Sequence, residues 1–133
     1  MSGVLLDTHA WIWWLSSPEL LSETATKAVR EAVSSGAVHV SSMSAWEVTM
    51  LVKKSRLRLR LPAEDWIARS EALPFVRFVP VDNAVAVRAV NFPEPCHPDP
   101  ADRIIAASAM LGTLPLVTKD QRLHALSSIS CVW

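Results

Sequence analysis

The sequence holds only three glycines and two cysteines, carries no net charge, and has no apolar run long enough to cross a bilayer. Each scarcity excludes something. With so little glycine, a collagen-like or low-complexity chain is ruled out. A balanced charge gives no overall attraction to nucleic acid, so any such function must rest on a local patch. Cys96 and Cys131 form no CxxC pair. That argues against a disulfide framework or a cysteine zinc site and fits a reducing, cytoplasmic setting. The longest nearly apolar stretch, Ile104 to Val117, is interrupted by Gly112 and Pro115. It falls short of the about 20 residues a membrane helix needs. The start lacks a basic segment and puts Asp7 where a signal peptide needs apolar residues, so no membrane association is expected.

What is present is a globular composition: 133 residues, half of them hydrophobic and a fifth charged. Such a chain buries a real core without staples, and a single domain over residues 1–133 is expected. Intrinsic disorder is excluded by the apolar content. Short apolar runs alternate with helical segments. Val4-Leu5-Leu6 reads as a buried strand, and Thr8 to Ser16 as a helix that is apolar almost all round. Ser22 caps an amphipathic helix stopped by Gly36. Ala37 to Val40, Phe75 to Val81, Leu114 to Thr118 and Ile129 to Trp133 read as further strands. Helices are expected at Ser44–Lys54, from Pro62 through Ala72, after the cap Asp82, at Pro100–Leu111, and at Asp120–Leu126. The four prolines among residues 93–100 require a loop. Strands separated by helices imply parallel pairing with helices on both faces, and ligands then bind beyond the carboxyl ends of the strands.

That rule gathers four carboxylates on one rim. Asp7 follows the first strand, Glu47 opens the helix after the second, Asp102 lies in the first turn of the helix before the fourth, and Asp120 stands two residues past the fourth. Left bare, they would repel one another and raise their own pKa values. A hard divalent cation, Mg²⁺ or Mn²⁺, relieves that, and an acidic oxygen site suits phosphoryl chemistry. Each residue also has a local explanation. Ser44-Ala45-Trp46-Glu47 fits a capping box. Asp99 fits an N-cap before Pro100, Asp102 a helix-dipole partner and Asp120 a cap. Asp7 is hardest to explain locally, because a carboxylate ending an apolar strand is costly to bury without a partner.

At these residues the sequence resembles the PIN (PilT N-terminal) domain, and within it the VapC toxins of toxin–antitoxin pairs. Leu5-Leu6-Asp7-Thr8-His9 resembles the family's opening, and Ser44-Ala45-Trp46-Glu47-Val48 its second acidic motif. His97-Pro98-Asp99-Pro100-Ala101-Asp102-Arg103 resembles the third, and Leu116-Val117-Thr118-Lys119-Asp120 the fourth. The resemblance spans essentially the whole chain. It implies a three-layer α/β/α fold with a central, mostly parallel sheet, and a Mg²⁺-dependent endoribonuclease. Catalytic and metal-binding roles fall on Asp7, Glu47, Asp102 and Asp120, with Asp99, Thr8 and Thr118 in support. It further implies a homodimer, and a cognate VapB-type antitoxin laid over the active-site groove.

Lys53, Lys54, Arg56, Arg58 and Arg60 read either as a charge-protected edge strand beyond a helix end or as contacts to RNA phosphates. Trp11, Trp13 and Trp14 are too close together to share one helix face, so at least one is expected to be exposed or covered by a partner; core packing fits Trp11 or Trp14, but the favoured reading makes the three a partner groove, which the resemblance assigns to the antitoxin. His9, His39, His97 and His124 lack the paired spacing of a histidine metal site. Arg103 is expected to form a structural salt bridge. Two rivals remain: a phosphoacceptor receiver domain, which needs an acidic pair after the first strand and a central Asp after the third, and a non-catalytic RNA-binding module, which would not need four rim acids.

Overall fold

The computed structural model describes residues 2–133. In chain order the elements are β1 (Val4–Leu6), α1 (Thr8–Ser16), a 3-10 turn (Pro18–Leu20), α2 (Glu23–Ser35), β2 (Val38–Ser41), α3 (Ser42–Lys53), α4 (Ala63–Glu71), β3 (Val76–Val79), α5 (Asn83–Val90), α6 (Pro100–Gly112), β4 (Leu116–Val117), α7 (Gln121–His124) and β5 (Cys131–Val132). The strands form one sheet in the order β3-β2-β1-β4-β5, and every pairing is parallel.

Both faces of the sheet are covered, which is why β1 and β4 are apolar throughout instead of alternating. Side chains leave a strand on opposite faces in turn. Val4, Leu6 and Val117 join Trp11, Val29, Val48 and Trp66 in the core under α1–α4. Leu5 and Leu116 join Ile105, Ala106, Ala109 and Leu123 under α6 and α7. Val85 and Ala89 of α5 pack on Ala107 of α6. The outcome is the expected three-layer α/β/α arrangement. No helix among the described residues is long and apolar enough to cross a membrane.

The expected caps form at four helices. Ser22 accepts from Ala25 N–H, Asp82 from Val85 N–H, Asp99 from Ala101 N–H and Asp120 from Arg122 N–H. Two local expectations are corrected. Helix α3 begins at Ser42, two residues before Ser44, and its cap is Ser41, whose Oγ accepts from Met43 N–H. Ser44 is therefore inside the helix and buried, and no capping box forms with Glu47. The alternating segment Arg56–Leu61 is not an edge strand but an irregular connection. Its period of two survives for another reason: Leu57, Leu59 and Leu61 pack on the core while Arg56, Arg58 and Arg60 stay in water.

Candidate active site

From β1 the chain builds outward through β2 to β3, then crosses back to place β4 and β5 on the other side. The direction of growth therefore reverses between β1 and β4, and a crevice opens beyond their carboxyl ends. Asp7 ends β1 there and caps α1. Its Oδ1 accepts from Ala10 N–H at 2.8 Å, and its Oδ2 accepts from the Thr118 hydroxyl at 2.5 Å. The same hydroxyl oxygen accepts from Asp120 N–H at 3.0 Å, so Thr118 sets two acids at once. Asp120 caps α7 through Oδ1, which accepts from Arg122 N–H, leaving Oδ2 turned to His97 Nε2 at 2.9 Å. Asp102, in the first turn of α6, brings Oδ2 to 3.4 Å from the same nitrogen.

Glu47 reaches the cleft from the second turn of α3. The Thr8 hydroxyl donates to its Oε1 at 2.5 Å. Having given its proton to Glu47, Thr8 receives one from Ser44, 2.8 Å away. The resulting cleft is about 520 Å³ and is lined by Asp7, Glu47, Asp99, Asp102 and Asp120, with Thr8, His9, Trp13 and Lys119.

Burial and crowding act on these acids together. Burial pushes the Asp7 carboxyl up, against the opposing pull of its bonds to Thr118 and Ala10. It also pushes Glu47 up, opposed by Thr8. Asp102 is driven up to about 7, first by burial and then by the charges of Asp99, Glu47 and Asp120, with His97 opposing. A cation among the carboxylates would reverse every one of these shifts. The donor set fits one. Ligand atoms of His97, Asp102 and Asp120 all lie within 4.8 Å of one another, a cluster able to hold a divalent metal ion. Asp7, although held by two hydrogen bonds, keeps further lone pairs free.

The structure brings all four rim carboxylates and Asp99 to one cleft, with Thr8 and Thr118 oriented toward Glu47 and Asp7. Three placements differ from expectation. Trp11 is fully buried between Trp66 and Phe78 and belongs to the core, leaving Trp13 and Trp14 as the half-exposed pair. Arg103 makes no salt bridge among the described residues. Its guanidinium donates from Nε and Nη2 to the Ala89 carbonyl, tying α6 to α5. His97, set aside for want of paired spacing, stands between two acids. Its signal was its place two residues before Asp99, on the proline-braced loop entering α6. Lys119 and Ser44 were also missed as site residues. Of the basic cluster, Arg58 and Arg60 join Arg69 around a separate cleft of about 610 Å³ walled by Trp66. Lys53, Lys54 and Arg56 are exposed near the end of α3. Asp82 caps α5 and lines no part of the acidic cleft, and the sheet order is not the 2-1-3-4-5 of receiver-type folds.

The PIN domain model matches residues 4–128. The chain belongs to the PIN domain family. Within that family it is similar to Ribonuclease VapC22 of Mycobacterium tuberculosis, 36% identical over 125 residues that cover 94% of this chain and 92% of the relative. The fold matches the VapBC2 structure from Rickettsia felis, bound to a promoter DNA fragment, with a TM-score of 0.69 at 11% identity over 98% of this chain and 97% of that one. A toxin–antitoxin complex from Klebsiella pneumoniae matches with a TM-score of 0.64 at 22% identity, over 96% and 99% of the two chains. FitAcB from Neisseria gonorrhoeae matches with 0.66 at 21%, over 96% and 95%.

Proposed function

We propose that this PIN domain is a Mg²⁺-dependent endoribonuclease toxin of the VapC type, with Mn²⁺ as an alternative ion, neutralised by a cognate VapB-type antitoxin and acting as a homodimer. The observation that carries the reading is the convergence of Asp7, Glu47, Asp102 and Asp120 on one cleft, three of them with carboxyls raised by burial and by one another. So costly a cluster is accounted for by a cation and an anionic substrate. Similarity to Ribonuclease VapC22 supports the choice of RNA.

Asp7, Glu47, Asp102 and Asp120 would hold the ion, with Asp99 at the cleft mouth in support. When bound, the ion supplies Lewis-acid charge to the scissile phosphate and lowers the pKa of an attacking water. Thr118 and Thr8 keep Asp7 and Glu47 turned inward through their short hydrogen bonds. Lys119, exposed on the lining, is positioned to meet substrate phosphate. Arg58 and Arg60, which have no carboxylate partner among the described residues, offer contacts to the RNA backbone, as do Lys53, Lys54 and Arg56. Such contacts position RNA without reading its sequence.

The test is cleavage of an RNA panel by the purified chain with Mg²⁺, and with EDTA. Products are expected to carry 5′-phosphate and 3′-hydroxyl ends. Asp7→Asn should abolish both cleavage and growth toxicity while its circular dichroism matches the parent. Full activity in Asp7→Asn overturns the assignment.

A further inference from the structure

We infer that His97 is a positioning residue, held in a single tautomer as a hydrogen-bond donor to Asp120 with Asp102 beside it, so that the cleft takes its cation through oxygen alone. The inference rests on the cation reading above and deepens it.

The ring is nearly buried, with 9% of its side chain exposed, on a loop stiffened by Pro93, Pro95, Pro98 and Pro100. Its Nδ1 accepts from the Asp99 backbone N–H at 3.0 Å. A nitrogen that accepts carries no proton, so the ring proton of the neutral imidazole sits on Nε2. That atom faces Asp120 Oδ2 at 2.9 Å and Asp102 Oδ2 at 3.4 Å. The Nε2–H group therefore donates to Asp120, with Asp102 alongside, and links the first turn of α6 to the cap of α7.

Proximity alone would let His97 join the two aspartates as a metal ligand. The tautomer opposes it. Nitrogen ligation through Nε2 needs a bare lone pair there, which moves the ring proton to Nδ1. That proton would then point at the Asp99 N–H, two donors head to head. Freeing Nδ1 would require moving the residue that caps α6, since Asp99 Oδ1 accepts from Ala101 N–H. Held as a donor, His97 instead orients the carboxylates, the part that outer-shell partners play at metal sites. An all-oxygen site favours Mg²⁺ and Mn²⁺ over the ions that imidazole prefers, such as Zn²⁺.

The experiment is imidazole ¹⁵N NMR on the full chain, first treated with chelator and then titrated with Mg²⁺. The His97 ring is expected to be the Nε2–H tautomer in the chelated protein and to stay so at saturating Mg²⁺. His97→Ala should weaken Mg²⁺ binding by roughly 10–100-fold, followed at the Asp102 and Asp120 amides. His97→Gln, which restores an N–H donor, should recover much of that loss. An Nδ1–H tautomer in either state overturns the inference, as does His97→Ala binding Mg²⁺ like the parent, or Gln performing no better than Ala. If Mg²⁺ moves no cleft resonance of the parent, the cation reading falls, and the tautomer in the chelated protein still decides the role of His97.

Discussion

Thr118 donates its hydroxyl proton to Asp7 Oδ2 at 2.5 Å, although the two residues stand 111 positions apart in the chain. The bond joins the ends of β1 and β4 at the reversal of the sheet, and the same oxygen accepts from Asp120 N–H. Thr118→Val keeps the shape and removes both interactions, leaving a buried carboxylate and a backbone N–H without their partner. A loss of about 1–3 kcal/mol is expected in urea unfolding. Thr118→Ser should retain most of the stability and most of the RNA cleavage. A Val variant as stable as the parent would show that the bond contributes nothing net.

Asp102 sets the pH behaviour. Its carboxyl, at about 7 in the fold against 3.8 ordinarily, keeps its proton in the folded state after the unfolded chain has lost it. The folded state thus binds more protons between these values, and stability falls as pH rises through that window. Asp7 and Glu47 are shifted in the same direction and add to the fall. Chelated protein should therefore melt at a higher temperature at pH 5 than at pH 7.5. Asp102→Asn should raise the melting temperature at pH 7.5 by roughly 3–8 °C, on the order of 1 kcal/mol after discounting for the solvent contact the group retains. Millimolar Mg²⁺ should stabilise the parent by mass action, increasingly toward high pH, and Asp102→Asn should lose much of that gain. Differential scanning fluorimetry at both pH values, with and without Mg²⁺, reads all of these outcomes. A parent that melts identically in every condition removes the electrostatic basis of the shared site.

The strands and the four rim acids were legible because each rests on a short local signal: an apolar run, a cap, a proline. The rule placing sites beyond the strand ends then brought together residues far apart in the chain. What escaped depended on tertiary choice. Ser41 and Ser44 offer the same cap chemistry, and in the fold Ser41 takes the cap while the Ser44 hydroxyl pairs with Thr8. Leucines alternating with arginines match a strand pattern, yet the segment packs its leucines without any strand partner. Arg103 pairs with no carboxylate among the described residues and donates instead to the Ala89 carbonyl. For His97 the only sequence signal was its place two residues before Asp99, and its contact with both acids depends on how the proline-braced loop folds.

Gly3 is a backbone requirement rather than a place for any small residue. Its φ is +104°, and a Cβ there would lie 1.8 Å from the Ala37 carbonyl oxygen, an oxygen already accepting from Val4 N–H. The close approach fixes how β1 enters the sheet beside β2. Gly3→Ala should therefore destabilise by more than the about 1 kcal/mol of an ordinary glycine effect, because the β1–β2 start must shift. Urea unfolding of Gly3→Ala against Ser2→Ala provides the comparison, and equal midpoints would show that the entry can relax freely.

The proposed antitoxin contact now falls more on Trp13 than on Trp14. Both are half-exposed on α1, but their neighbours differ. Trp14 packs against Phe75, at 6.0 Å between ring centroids, over a hollow bounded by Leu21, Val29 and Val33. Trp13 lines the acidic cleft itself, with the rings of His9 and Trp133 each 5.7 Å away. An antitoxin segment laid on this surface can set an Arg or Lys among Asp7, Glu47, Asp102 and Asp120 while covering the Trp13 ring. The charge gains from several carboxylates in a partly shielded pocket, and the indole supplies the apolar anchor. Trp13→Ala is expected to cost about 2 kcal/mol or more, roughly 30-fold in Kd. Trp14→Ala should cost less, because its contacts are mainly to its own chain. Titration of the cognate antitoxin against each variant, with circular dichroism and residual RNase activity as controls for folding, separates the two. If Trp13→Ala binds the antitoxin as tightly as the parent, inhibition does not run through the cleft wall. A larger loss at Trp14→Ala would move the docking surface to the α1–α2 hollow.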